Sequence, residues 1–239
     1  MPVWVALLGS GLAGACVGFQ TRINGGLSNA LGDGYLTAAI SFLVGTIILF
    51  VGMLLSRRAR AGMGLVLAEL RSGHLRWWML TGALCGVFFV LGQGLIATVL
   101  GLALFTVGVV AGQVGGGLLF DRIGLGPGGR VDPTLPRVIG TALAIVAVAL
   151  SVIADLVGPA SHAAQLWLII VPLIAGLLIA WQSAMNGLVR AAAHSALTPT
   201  FINFLLGTIL LVVIAAVAGG VPGRPAGWAP HPVLYLRGG

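Results

Sequence analysis

Residues 20–49 read QTRINGGLSNALGDGYLTAAISFLVGTIIL, and residues 182–211 read QSAMNGLVRAAAHSALTPTFINFLLGTILL. Laid on one another with a shift of 162 and no gap, they agree at 11 of 30 positions. Gln20 meets Gln182, Asn24 meets Asn186 and Gly25 meets Gly187. Further on, Phe42, Leu43, Gly45, Thr46 and Ile47 meet Phe204, Leu205, Gly207, Thr208 and Ile209, and Ala30, Ile40 and Leu49 match as well. Each copy is therefore a glutamine and an asparagine four residues apart, on one helix face, then a turn, then a long apolar run.

The chain around these copies is too apolar for water. Only 7% of its 239 residues are charged and 59% are hydrophobic, with a mean hydropathy of +1.11. A soluble domain carries about a quarter of its residues charged, so this composition predicts an integral, all-α membrane protein. All twelve basic residues are arginines, and most lie in the gaps between apolar runs. That is how topology determinants are distributed, not a nucleic-acid-binding stripe. No nucleic acid is expected; the partners expected are the lipid bilayer and a small-molecule solute.

A helix needs about 20 apolar residues to cross the hydrocarbon core. Seven stretches qualify, at about 3–23, 36–56, 77–97, 100–120, 137–157, 165–187 and 198–219. Three linkers hold nine arginines: Arg57, Arg58, Arg60, Arg71 and Arg76, then Arg122, Arg130 and Arg137, then Arg190. The opposite face has Arg22, Arg224 and Arg237. The positive-inside rule then places the N-terminus in the cytoplasm. Gly14/Gly18, Gly82/Gly86, Gly108/Gly112 and Gly112/Gly116 are spaced four apart, the pattern of small-residue faces that let helices approach closely in lipid.

Five spans precede the second copy, so it enters the membrane upside down relative to the first. Inverted repeats are a hallmark of secondary transporters whose halves rock about a midplane site. Gln20, Asn24, Gln93, Gln113, Gln182 and Asn186 are accordingly the candidate substrate-binding residues, with Asn203, Thr46 and Thr208 as further interior polar groups. Such amides donate and accept without fixed charge, which predicts a small neutral or zwitterionic solute. Asp121 sits beside Arg122, where a mutual ion pair is the modest explanation.

The stretch FQTRINGGLSNALGDGYLTAAISFLVGT resembles the first hairpin of the YdcZ-like bacterial inner-membrane family, within the drug/metabolite transporter superfamily. VAGQVGGGLLFDRIGL, Val110 to Leu125, is similar to that family's fourth-helix motif, and PRVIGTALAIVAVAL follows as its fifth helix would. The matched positions are Gln20, Asn24, Gly45, Gln113, Asp121 and Gly124. The resemblance implies five-span units that also occur fused in pairs: residues 1–157 as one unit and 158–239 as an incomplete second. HPVLYLRGG looks like the start of a third span, so three helices of the second unit are expected to lie outside this chain, or to come from a homodimer or partner chain.

No catalytic motif is present: no His-Glu-x-x-His, Gly-x-Ser-x-Gly or phosphate-binding loop. The four histidines, His74, His162, His194 and His231, fall in linkers or the tail, and Cys16 and Cys85 form no metal spacing. The expectation is a transporter without cofactor or metal, not an enzyme. A membrane-embedded coupling carboxylate is also missing. The competing expectation is a non-transporting assembly or regulatory subunit, or a transporter fragment without function.

Overall fold

The structure, a computed structural model, describes residues 3–157 and 167–218. Among these the regular structure is helical throughout: α1 Val3–Leu31, α2 Gly34–Leu55, α3 Arg57–Arg71, a 3-10 turn at Trp77–Leu80, α4 Gly82–Leu100, α5 Leu102–Ile123, α6 Leu135–Val157, α7 Ile170–Ala193 and α8 Leu197–Ala218. Helices occupy the described part of each of the seven stretches expected from apolarity. Five of the described segments, Gly34–Leu55, Ala103–Ile123, Leu135–Ala154, Trp167–Ala193 and Leu197–Val217, are long and apolar enough to cross a membrane. The protein is an all-α membrane protein. α1 runs past the expected end at Ile23 to Leu31, so the first glutamine–asparagine pair lies well inside a helix.

One helix stands where a linker was expected. Ser56 closes α2 and caps α3, its hydroxyl accepting from the Ala59 backbone N–H at 3.2 Å. Ala59, Gly62 and Val66, spaced i, i+3 and i+7, are buried against α7 and α8. A Cβ at Gly62 would stand 2.6 Å from the Ala193 carbonyl oxygen, and the Thr198 hydroxyl donates to the Ala59 carbonyl at 3.3 Å. The arginines on the outer side keep this helix off the apolar interior. It is short and amphipathic, which suits the membrane boundary.

α7 is the hub of the bundle and packs on α3, α4, α5 and α8. Glycine makes its contact with α5 possible. A Cβ at Gly112 would overlap the Leu173 carbonyl, and one at Gly176 would overlap the Val109 carbonyl. The fit is looser but still close at Gly108, where a Cβ would stand 3.0 Å from Pro172 Cγ, and at Gly116, where it would stand 2.9 Å from Leu177 Cδ1 and 3.0 Å from Ala180 Cβ. Phe105 and Ala175 fill the space between and are almost fully buried. Without a hydrophobic drive between helices in lipid, such close backbone approach supplies the dispersion contacts that hold them.

The two repeat copies meet through α2 and α8. Thr46 and Thr208 hydroxyls lie 2.7 Å apart, and the rings of Phe42 and Phe204 stack with centroids 5.1 Å apart. Phe204 covers Gly45, and Phe42 covers Gly207. Each residue thus touches the equivalent of the residue that touches its own equivalent, the reciprocity that defines a two-fold axis. The axis passes between Thr46 and Thr208.

Ion pairing differs from the sequence expectation at one place. The Asp121 carboxylate takes the Arg137 guanidinium, not Arg122. The helix end explains this: the backbone turns left-handed at Gly124, φ +77°, and returns α6 alongside α5.

Candidate functional site

In each hairpin the asparagine of the pair is bonded to the second helix, and in the first hairpin the glutamine is too. In the first copy, Asn24 Nδ2 donates to Ser41 Oγ at 3.0 Å, and Gln20 Nε2 reaches the same oxygen at 3.4 Å. In the second, Asn203 Nδ2 donates to Asn186 Oδ1 at 2.7 Å. Ser41 and Asn203 are equivalent under the 162-residue shift, so the hairpins repeat the same cross-link with a different second residue. Ser41 was not among the expected site residues; its alignment with Asn203 is the sequence signal that marks it.

The surroundings of the two sets differ. Gln20 is exposed and Asn24 half-buried. Gln182 and Asn186 are both half-buried, because α4 brings two glycines against them. A Cβ at Gly82 would lie 3.0 Å from Asn203 Oδ1 and 3.2 Å from Gln182 Cγ, and one at Gly86 would lie 3.3 Å from Gln182 Nε2. The Gln182 carboxamide makes no hydrogen bond among the described residues. A half-buried amide without a protein partner has a donor and an acceptor left for something else.

The remaining candidates stand apart from this set. Gln113 is exposed on α5, and Gln93 is half-buried on α4 with an interaction of its own. Nothing in the geometry joins all six amides around one cavity. An open cavity of about 450 Å³ lies between α4 and α7, lined by Thr81, Leu84, Cys85, Phe88, Leu178 and Trp181. Its polar end is a single bond, Trp181 Nε1 donating to Thr81 Oγ1 at 3.2 Å. Trp181 also stacks at a tilt on Trp78, centroids 5.8 Å apart. Thr81 and Trp181 are the chain neighbours of Gly82 and Gln182, but the amides themselves are not among its lining residues. Its size falls in the range of small-molecule pockets.

Among the described residues, no three His, Cys, Asp or Glu side chains stand close enough to hold a metal ion. Asp155 and Arg22 lie on described helices, but their side chains are outside the description, as are the whole of residues 158–166 and the tail from 219, with His162, His231, Arg224 and Arg237.

The model of the family described as "Putative inner membrane exporter, YdcZ" matches residues 5–150 and 167–239. No curated protein and no solved structure matches the chain.

Proposed function

The chain belongs to the YdcZ family of inner-membrane exporters, and from that premise we propose that it moves a small neutral or zwitterionic solute by alternating access. The observation that carries this reading is the two-fold contact of α2 with α8, Thr46 on Thr208 and Phe42 on Phe204. Hairpins related in this way rock about their shared axis while a site between them is exposed to each side in turn. Gln182, with Asn186 and Asn203, offers neutral donors and acceptors next to the α4–α7 cavity, and Gln20 and Asn24 are their equivalents in the first hairpin. Residues 1–157 act as one unit and the remainder as part of a second. The arginine-rich linkers take the cytoplasmic side, with the N-terminus on that side too.

The test is solute counterflow in proteoliposomes, screened over neutral and zwitterionic metabolites. Gln182→Ala is expected to raise the half-saturating concentration about tenfold, the cost of one lost amide hydrogen bond pair; Gln20→Ala is expected to do less. Unchanged transport of every solute found, in both variants, overturns the site.

A second reading has its own support. α1 packs chiefly on α2 and leaves Leu8, Leu12, Phe19 and Ile23 exposed. That favours a chain that works with a homodimeric or other partner covering α1. Cross-linking from α1 in native membranes separates the readings: a discrete cross-linked species supports the partner, and labelling by lipid alone supports the single chain.

A further inference from the structure

We infer that the second hairpin carries an anion-binding site at the start of α8, built for a phosphate group. The argument begins in the first hairpin. The turn before α2 passes through Gly32 in the left-handed region, φ +65°, and Asp33 then caps the helix. Its carboxylate accepts from the Tyr35 and Leu36 backbone N–H groups at 2.8 and 3.0 Å. A negative charge here complements the exposed N–H groups and the positive end of the helix dipole.

The second hairpin turns at the equivalent place with different chemistry, and α8 begins one residue later, at Leu197. His194 replaces Gly32 and keeps its left-handed backbone, φ +51°. Ser195 replaces Asp33, so the built-in carboxylate is gone. Where the anion would stand there is instead an open cavity of about 550 Å³, lined by Arg58, Pro127, Gly187, Arg190, Ala191, His194, Ser195 and Ala196. Two arginines and a histidine face this space, and no carboxylate does. Ser195 is 9% exposed, yet its hydroxyl makes no hydrogen bond among the described residues.

Three chain joints build the site. Arg58 comes from the start of α3, Pro127 from the α5–α6 loop, and Arg190 and His194 from the end of α7. Arg58 is held in place by donating from Nε to the His194 carbonyl at 2.5 Å. That bond satisfies one carbonyl at the negative end of α7 and leaves the other guanidinium nitrogens unassigned. Arg190 makes no ion pair among the described residues. Planar guanidinium groups match phosphate oxygens in pairs, and a helix start supplies backbone donors to the same oxygens. Carboxylate in one copy and bound phosphate in the other would then do the same electrostatic work. A phosphate reaches this boundary position either as a lipid headgroup or as a free anion from solution.

The experiment uses the full chain purified into nanodiscs. Thermal unfolding is followed in phosphatidylcholine discs, in equimolar phosphatidylcholine–phosphatidylglycerol discs, and in phosphatidylcholine discs titrated with inorganic phosphate against chloride of equal ionic strength. A rise in the midpoint in phosphatidylglycerol only identifies a lipid headgroup. A saturable rise with inorganic phosphate identifies a free anion. Arg190→Gln is expected to weaken the response about tenfold, one charge-assisted contact. Ser195→Asp restores the first hairpin's carboxylate and is expected to raise the midpoint in phosphatidylcholine while abolishing the response. No response of the wild type to either probe overturns the site, and so does a Ser195→Asp variant that responds as the wild type does.

Discussion

α1 and α7 open the two copies of one repeat, and their surroundings could hardly differ more. α7 is enclosed by four helices, with Gly176 pressed against α5 and Ala175, Met185 and Val189 removed from the surface. α1 leans on α2 and presents Leu8, Leu12, Phe19 and Ile23 outward, and a Cβ at Gly14 would meet nothing within 4 Å. Related sequences thus supply a buried hub in one place and an open face in the other. What differs is the company: α7 has α4 and α5 to pack on, whereas α1 has no corresponding pair among the described residues. Glycine spacing alone does not make an interface. It permits close approach where a second helix is present to use it.

The strongest way to break this contrast is to fill the glycines. Gly112→Leu forces a side chain into the Leu173 carbonyl and is expected to cost about 3 kcal/mol, the upper range of overpacking. Gly14→Leu is expected to leave the unfolding midpoint unchanged. Scanning fluorimetry in detergent reads both, and equal effects would mean that α1 is as enclosed as α7. Next comes the capping difference between the copies. Asp33→Ala removes the carboxylate from α2 and is expected to cost about 1 kcal/mol; Ser195→Ala in phosphatidylcholine discs without inorganic phosphate is expected to cost much less.

Smaller still is the axial contact. In a double-mutant cycle, Thr46→Val and Thr208→Val are expected to couple by about 0.6 kcal/mol, the mean for interhelical hydrogen bonds in a membrane protein. Additive losses would show that the hydroxyls do not recognise each other. The gentlest probe needs no mutation. Cys16 on α1 is exposed and Cys85 on α4 is buried, so a membrane-permeant maleimide is expected to modify Cys16 first. Protection of Cys16 in native membranes, lost on solubilisation, would place a partner on the α1 face.

Much of the architecture was legible because lipid enforces simple rules. Spans of sufficient length and apolarity declare themselves, and the repeat at a shift of 162 is readable wherever equivalent residues must meet, as Phe42 and Phe204 do. α3 escaped because its arginines lower the apolarity of a stretch whose fully buried residues, Ala59, Gly62 and Val66, lack the bulk that usually reveals an inward face; Met63 and Leu70 pack beside them only half-buried. The choice of Arg137 over Arg122 by Asp121 depends on how the chain turns at Gly124, which neighbouring letters do not record. In the candidate site, the amides were legible and their partners less so. Ser41 is an unremarkable serine until it is laid over Asn203, and the freedom of Gln182 follows from two α4 glycines a hundred residues away. Arg58, Arg190, His194 and Ser195 read as linker residues because three separate joints must converge before they share a cavity.

A residue on a two-fold axis must be able to bond to itself. Threonine qualifies because one hydroxyl both donates and accepts: Thr208 gives its proton to the Phe204 carbonyl at 2.7 Å and accepts from Thr46, so a single residue type serves in both places. An aspartate or an arginine at that position would face its own charge. Phenylalanine over glycine solves the same problem by pairing a knob with a hole, each copy carrying one of each. These solutions work whether the two hairpins belong to one chain or to two identical ones. The axial residues of this protein therefore still obey the grammar of a homodimer, and a single hairpin gene, expressed alone, would already carry both halves of the contact.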